Sequence, residues 1–507
     1  MPCRNERAGG VRGRLTAARP PRRLALILLA AMLAACAVHH PTVTPTHPSS
    51  TALNTDLGRI FDAPAFSDAF WGVVVESADT GEPLYLRNAD KLMLPASNMK
   101  ILTLAAAVDR LTWHFQYDTR LLATGPIGDG TLHGDLVVIG SGDPTLGELR
   151  ITNTPKPTLD AWADRLWTSG LRRIDGRVIG DGRALRSRPF GSGWAWDDLV
   201  YGYAAPVSAL QYHDNLAVLT IRAGSAAGQP VALDVAPAET GLTLVNDLAT
   251  TAPGGPASIV LQRDPGSRIV TLIGRVPAGS PEIYRTAAVP DPPAFLARSL
   301  RAALVARGIE ITGPATDIEA ATPPPDEAAA QILLTAQSLP LSGMAPILMK
   351  DSENLYAETL LRTIAIVAPP ADGSGVPGIV RDLLTRLGLP PAGAVVADGS
   401  GLSRDNLVTA RTLAGILRHY RGDQQFVEAL AVAGDDGTLT HRFAGTAAAG
   451  KVYAKTGSMS HVRALSGYLT TRDGRPLVFS ILVNNFEAPP AEVTAAIDAA
   501  VLRLIGG

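Results

Sequence analysis

The chain has 507 residues, of which 46% are hydrophobic, 18% charged and 5% aromatic, with a formal net charge of −2. This length predicts about three domains, and the apolar fraction can bury a sizeable core, which excludes a fully disordered chain. The balanced charge without a basic stripe excludes nucleic acid as a partner, and two cysteines and nine histidines without a His-Glu-x-x-His pattern leave no expected metal site, disulfide scaffold or cofactor.

Residues 1–35 read as an export signal. Seven arginines (Arg4, Arg7, Arg12, Arg14, Arg19, Arg22, Arg23) precede the apolar run 24–35, which is too short for a comfortable permanent membrane span. The run ends Leu33-Ala34-Ala35-Cys36, which resembles the bacterial lipoprotein box, so Cys36 is the expected lipidation site. An ordinary signal peptide with a neighbouring cysteine is the plainer alternative. Residues 39–50 are His, Pro, Thr and Ser apart from Val43, and 36–52 are expected to be a flexible tether.

Folded sequence is expected from about Leu53. A β-hairpin is predicted over 71–77 and 84–86 about the turn Asp79-Thr-Gly-Glu-Pro83, followed by a helix over 97–111. From about 117 to 335 the texture changes to short strands broken by Gly, Pro and Asp, such as 135–139, 216–221 and 268–274, with one helix over 293–307. The Pro-rich 321–325 reads as a seam back to the main body. Helices follow over 342–367, 378–387 and 409–418, then strands over 463–470 and 476–484 and a helix over 490–505. Strand signals at both ends of the chain predict one α/β sheet domain, formed by 53–117 and 337–507 and split by a β-rich insertion, 118–336, of one or two modules.

Three motifs fit one active site. Ser97-Asn-Met-Lys100 puts a hydroxyl and an amine three residues apart, neighbours on one helix face. Serine is a poor nucleophile without a base, and a lysine can be that base when burial or nearby positive charge lowers its pKa. Ser352-Glu-Asn354 can point a proton-relaying hydroxyl and a carbonyl-binding amide into one cleft. Lys455-Thr456-Gly457-Ser458, at a strand edge, offers a cation and a hydroxyl for a carboxylate and a glycine that permits close backbone approach. Each motif alone has an ordinary reading, as a helix cap with a surface lysine, an N-cap or a charged turn. Together they are stronger, because the chain has only six lysines against 39 arginines and two of the six occupy motif positions.

In this order the trio is the signature of penicillin-binding proteins and class A β-lactamases. Ser352 lies 255 positions after Ser97, farther than the β-lactamase spacing. The chain resembles the penicillin-binding protein 4 type of D-alanyl-D-alanine carboxypeptidase/endopeptidase, the low-molecular-mass class C group. Further matching stretches are 140–146, 194–199, 203–206, 398–404, 454–458 and 465–468. The resemblance implies a serine β-lactamase/transpeptidase-like fold, an antiparallel sheet with helices on both faces, split by the insertion.

It also implies roles. Ser97 would be the acylated nucleophile, Lys100 its general base, and Ser352 the proton donor to the leaving amine. Asn354 would bind the substrate amide, and Lys455 and Thr456 would hold the terminal carboxylate beside Gly457. The backbone N–H groups of Ser97 and Ser458 would form the oxyanion hole. An acid in the Trp-rich stretch, Asp198 ahead of Asp197, would meet the free amino end of a diaminopimelate side chain. Glu353 stands where many relatives carry Asp, and the lipobox is less typical of them. The expected protein is an envelope-anchored periplasmic hydrolase of peptidoglycan stem peptides and cross-bridges, blocked covalently by β-lactams. Its rivals are a serine β-lactamase or esterase on the same fold, a non-enzymatic β-lactam-binding lipoprotein, and a mere envelope scaffold.

Overall fold

The computed structural model describes residues 48–147, 158–185, 188–328 and 330–506; Cys36, the export signal and most of the expected tether lie outside them. Six antiparallel strands make the central sheet, in the order Pro83–Arg87, Phe70–Ser77, Pro476–Asn484, Val462–Thr470, Val452–Met459, Ala431–Val432. The first strand lies directly beside the last, with Trp71 opposite Val483 and Val75 opposite Phe479, so both ends of the chain build one sheet.

The apolar runs of these strands follow from burial on both faces. Trp71, Val73, Val75, Phe479 and Ile481 pack with Val493, Ile497 and Val501 of the helix Pro490–Gly506. Val74, Val478 and Leu482 face the other way, against the helices Met99–Leu111, Leu341–Lys350, Asn354–Val367 and Ala410–Tyr420. A helix Pro48–Phe61 joins the first layer through Leu53, Leu57 and Phe61, one residue per turn along a face. It begins inside the stretch expected to be tether, and its Ser/Thr-rich start hides that periodicity.

Between Tyr117 and Ser338 the chain builds four further sheets. A five-stranded one is bounded by Asp118–Ala123 and Gln331–Gln337, which pair with each other. The exit from the central domain and the return to it are stitched together, since Tyr117 N–H donates to Ser338 Oγ at 2.9 Å and Ser338 N–H to the Tyr117 carbonyl at 2.9 Å. The described part of this stretch holds three separate apolar clusters, the smallest formed by Val137, Ile179, Ile318 and Ala321; the two larger ones are the cores of the insertion. One gathers Trp162, Leu166, Phe295 and Leu300, and the other Leu219, Ile221, Val270 and Leu272. This is the expected α/β architecture, an antiparallel sheet with helices on both faces and a long β-rich insertion. Two expectations need correction. A second helix, Thr158–Thr168, stands in the insertion beside Pro292–Arg307. The single helix expected over 342–367 is two, Leu341–Lys350 and Asn354–Val367, broken at Ser352, where φ is +66°.

Candidate active site

Ser97 sits in a 3₁₀ turn, Ala96–Asn98, that feeds the helix Met99–Leu111, so its hydroxyl and the first helical N–H groups share one end of the helix. Ala96, just before it, has φ +46°, a left-handed backbone that costs an alanine about 1–2 kcal/mol. The loop 398–403 covers this turn at close range. A Cβ on Gly401, whose φ is +87°, would stand 1.9 Å from the Ala96 carbonyl oxygen. Strain held at the Ser97 turn and at Ser352 is the kind of feature that marks functional sites.

Lys100 is completely buried, and its Nζ donates to Asn354 Oδ1 at 2.6 Å, the Ser400 carbonyl at 2.8 Å and Ser97 Oγ at 3.1 Å. Three acceptors match the three N–H groups of an ammonium. With one proton gone, two donors can stay on Asn354 and Ser400 while the lone pair faces Ser97. Burial makes this state accessible by lowering the Lys100 pKa to about 8, against the opposing pull of Asp398, Glu353 and Glu358. Ser97 and Lys100 therefore form a hydroxyl and an amine within hydrogen-bond reach, with the amine fixed by the two further acceptors of Asn354 and Ser400.

The other two motifs close on the same place. Lys455, also completely buried, donates from Nζ to Ser352 Oγ at 2.8 Å and to the Thr456 carbonyl at 3.0 Å. Burial, reinforced by the charge of Lys100, drives its pKa well below the ordinary lysine value. Asn98 Nδ2 donates to the Lys455 carbonyl at 3.1 Å, tying the Ser97 turn to the strand Val452–Met459. Asn354 is engaged at both ends, its oxygen by Lys100 and its Nδ2 by the Tyr203 carbonyl at 2.7 Å, which leaves one Nδ2 hydrogen free for a further acceptor.

Two expectations change in detail. The Lys455 amine is out of solvent against Ser352 Oγ, and of the residues that follow it Gly457 is buried, Thr456 half-buried and Ser458 exposed. Gly457 is required by the protein itself, because a Cβ there would stand 2.8 Å from the Pro95 carbonyl oxygen and 3.0 Å from Asn98 Nδ2. Close approach does demand this glycine, and a backbone that approaches it is that of the Ser97 turn.

A cavity of about 370 Å³ opens over Ser97, Ser352, Asn354 and Ser458, and Asp198 and Tyr203 of the insertion supply its far wall. Asp198 accepts from the Tyr203 hydroxyl at 2.6 Å. Burial first, then this bond, pushes the tyrosine pKa up. Asp197 is exposed and does not line the cavity.

A layer beneath the motifs escaped the sequence reading. Glu358, buried at the middle of the helix Asn354–Val367, accepts from the N–H groups of Gly399 and Ser400 at 3.0 and 2.8 Å. Asp398 accepts from Gly401 N–H at 2.8 Å, Ser403 N–H at 2.6 Å, Asn406 Nδ2 at 2.6 Å and Trp194 Nε1 at 2.9 Å. These two carboxylates hold the loop whose Ser400 carbonyl receives Lys100. Burial, aided by the Asp398 charge, raises the Glu358 pKa to about 7. The family-like stretches 194–199 and 398–404 were the only sequence signal of this layer, and they carried no role. No group of three or more His, Cys, Asp or Glu side chains suited to a metal ion occurs among the described residues.

Comparison with known proteins agrees with this geometry. The family model described as D-Ala-D-Ala carboxypeptidase 3 (S13) family matches residues 53–504. The chain belongs to the S13 family. It is 35% identical over 470 residues to a D-alanyl-D-alanine carboxypeptidase of Actinomadura sp. (strain R39), covering 90% of this chain and 84% of that one. It is 27% identical over 434 residues to the D-alanyl-D-alanine carboxypeptidase DacB of Haemophilus influenzae, covering 83% and 86%. The crystal structure of penicillin-binding protein 4 (dacB) from Haemophilus influenzae superposes with a TM-score of 0.74 at 25% identity, over 89% of this chain and 97% of that chain. Family membership over nearly the whole described chain places the insertion, as well as the central sheet, inside the shared architecture.

Proposed function

We propose that this S13-family protein is a serine D-alanyl-D-alanine carboxypeptidase/endopeptidase that works on peptidoglycan stem peptides and cross-bridges through an acyl-enzyme at Ser97. The observation that carries the reading is the buried amine of Lys100, 3.1 Å from Ser97 Oγ and held by Asn354 and Ser400. Neutral Lys100 takes the Ser97 proton as Oγ attacks the carbonyl carbon of the penultimate D-Ala. The N–H groups of Ser97 and Ser458 receive the developing oxyanion. Collapse breaks the C–N bond, and Ser352, hydrogen-bonded to Lys455, passes a proton to the leaving amine. Water then hydrolyses the ester.

The open edge of the strand Val452–Met459 supports this reading. The short strand Ala431–Val432 covers it only opposite Ala454 and Tyr453, leaving Lys455–Ser458 free to pair with an extended peptide. Thr456 and Ser458 hydroxyls then receive the terminal carboxylate, with Lys455 adding positive potential from behind Ser352. Asn354 offers its remaining Nδ2 hydrogen to the substrate carbonyl. Asp198, half-buried in the cavity wall, is placed for a cationic side-chain end. In this reading 53–117 and 337–507 form the catalytic domain, and the insertion 118–336 supplies the recognition wall. Export and acylation at Cys36 would tether the enzyme in the periplasm, leaving a mature chain of net charge −8.

The test is intact-protein mass after incubation with penicillin, beside Ser97→Ala. A lasting adduct on the wild type alone, with D-Ala released from a pentapeptide, is the expected result. Turnover of penicillin without an adduct would favour a β-lactamase, and neither adduct nor turnover would remove the catalytic reading. Metabolic labelling with a fatty acid, lost in Cys36→Ser, tests the anchor.

A further inference from the structure

The turn that follows the strand Ala431–Val432 is held with unusual firmness for a surface segment. The Asp436 carboxylate accepts Val432 N–H at 2.7 Å through Oδ1 and Lys350 Nζ at 2.5 Å through Oδ2. Gly437 has φ +53°, and a Cβ there would stand 2.7 Å from the Lys350 carbonyl oxygen. On the other side, Leu439 is completely buried, and its carbonyl accepts Gly434 N–H at 3.0 Å. Between these anchors stands Thr438, an exposed residue whose Oγ1 lies 2.8 Å from Thr456 Oγ1. Lys350 ends the helix that leads into Ser352, so the turn is fixed to the same element as the Ser352 motif.

In this arrangement Thr456 gives its only hydroxyl hydrogen to Thr438. A carboxylate is acceptor-only, so Thr456 can grip one only by turning that hydrogen to it. Its oxygen is then left needing a donor, and the Thr438 hydroxyl, already in place, can rotate to supply one. A hydroxyl that accepts a hydrogen bond donates a stronger one, and donation to a charged acceptor gains most from this. An uncharged ester at the same position gains less.

We propose that Thr438 is a positioning residue that sets the Thr456 hydroxyl for donation and thereby makes the site select a free C-terminal carboxylate. This rests on the reading of Thr456 as a carboxylate ligand given above. The test compares two N-acyl-D-alanyl thioesters, one whose thiol leaving group carries a carboxylate and the other its methyl ester, on wild type, Thr438→Val and Thr438→Ser. Thr438→Val is expected to lower the acid-to-ester ratio of kcat/KM by roughly two- to fourfold, the share that one cooperating partner adds to a hydrogen bond to a charged group, chiefly through KM for the acid. Thr438→Ser, which keeps the hydroxyl, should restore the ratio. An unchanged ratio in Thr438→Val, or an equal fall for both thioesters, overturns the inference while leaving the proposed function standing. A wild type that turns over neither thioester overturns both.

Discussion

Lys100 has to lose a proton before it can take one from Ser97, and its environment sets the pH at which that happens. Burial lowers its pKa to about 8, while Asp398, Glu353 and Glu358 pull the other way. The neutral fraction of such a group is about one-tenth at pH 7, one-half at pH 8 and nine-tenths at pH 9, so acylation should rise about tenfold from pH 7 to pH 9 and tenfold per unit below pH 7. The sign follows from the base being the deprotonated form: the rate is gained as pH rises through about 8. Glu353→Gln removes one of the charges that raise the pKa and should move this limb to lower pH. Asp398 weighs more, but four donors point at it, and its replacement would disturb the loop as well as the charge. The assay is the second-order rate of penicillin acylation, followed by intact mass or a fluorescent penicillin between pH 5.5 and 9.5. Lys100→Arg keeps a cation that cannot deprotonate and should lose roughly 10²–10⁴-fold. A flat profile from pH 6 to pH 9, or substantial acylation of Lys100→Arg, refutes Lys100 as the base.

Other perturbations probe the layer beneath the motifs. Gly401→Ala drives a Cβ onto the Ala96 carbonyl and demands φ +87° of an alanine, so it should cost at least about 2 kcal/mol in thermal or urea unfolding and slow acylation more than tenfold. Trp194→Phe deletes the indole donor to Asp398 and should cost about 1–2 kcal/mol by urea denaturation, with the Ser403 N–H still on the same oxygen. Asp198→Asn should raise KM for a stem peptide with a free side-chain amine and leave KM for its acetylated counterpart unchanged, in a D-Ala release assay. If both peptides respond alike, Asp198 serves the wall of the cavity and not the cation.

Legibility divided along a physical line. The strands 463–470 and 476–484 and the terminal helix could be read because long apolar runs and 3.6-residue periodicity are local properties of sequence. So could the three motifs, whose residues are close neighbours in the chain. The break at Ser352 was hidden because helix-forming residues flank it on both sides, and its side-chain partner Lys455 is 103 positions away. Glu358 reads as one more polar residue in a helix until the fold brings Gly399 and Ser400 over it. Thr438 was equally silent, since a threonine in a Gly- and Asp-rich turn is what any surface turn offers.

One compositional oddity does acquire a reason. The chain answers nearly every demand for positive charge with arginine, and among the described residues the ion pairs are made by Arg apart from His133–Asp175 and Lys350–Asp436. Arginine stays charged at any pH the cell reaches, whereas lysine can be neutralised by burial. Of the five described lysines, Lys91 and Lys451 are exposed, Lys350 anchors the Thr438 turn, and Lys100 and Lys455 are completely buried against Ser97 and Ser352. Two buried amines facing two hydroxyls are poor choices for stability, because burying a charge costs several kcal/mol unless it is well paired. They suit the proposed mechanism, in which a proton moves off one serine and onto a leaving group through another. The scarcity of lysine elsewhere makes that placement stand out, and it predicts that substituting arginine at position 100 leaves charge in the site while removing the base.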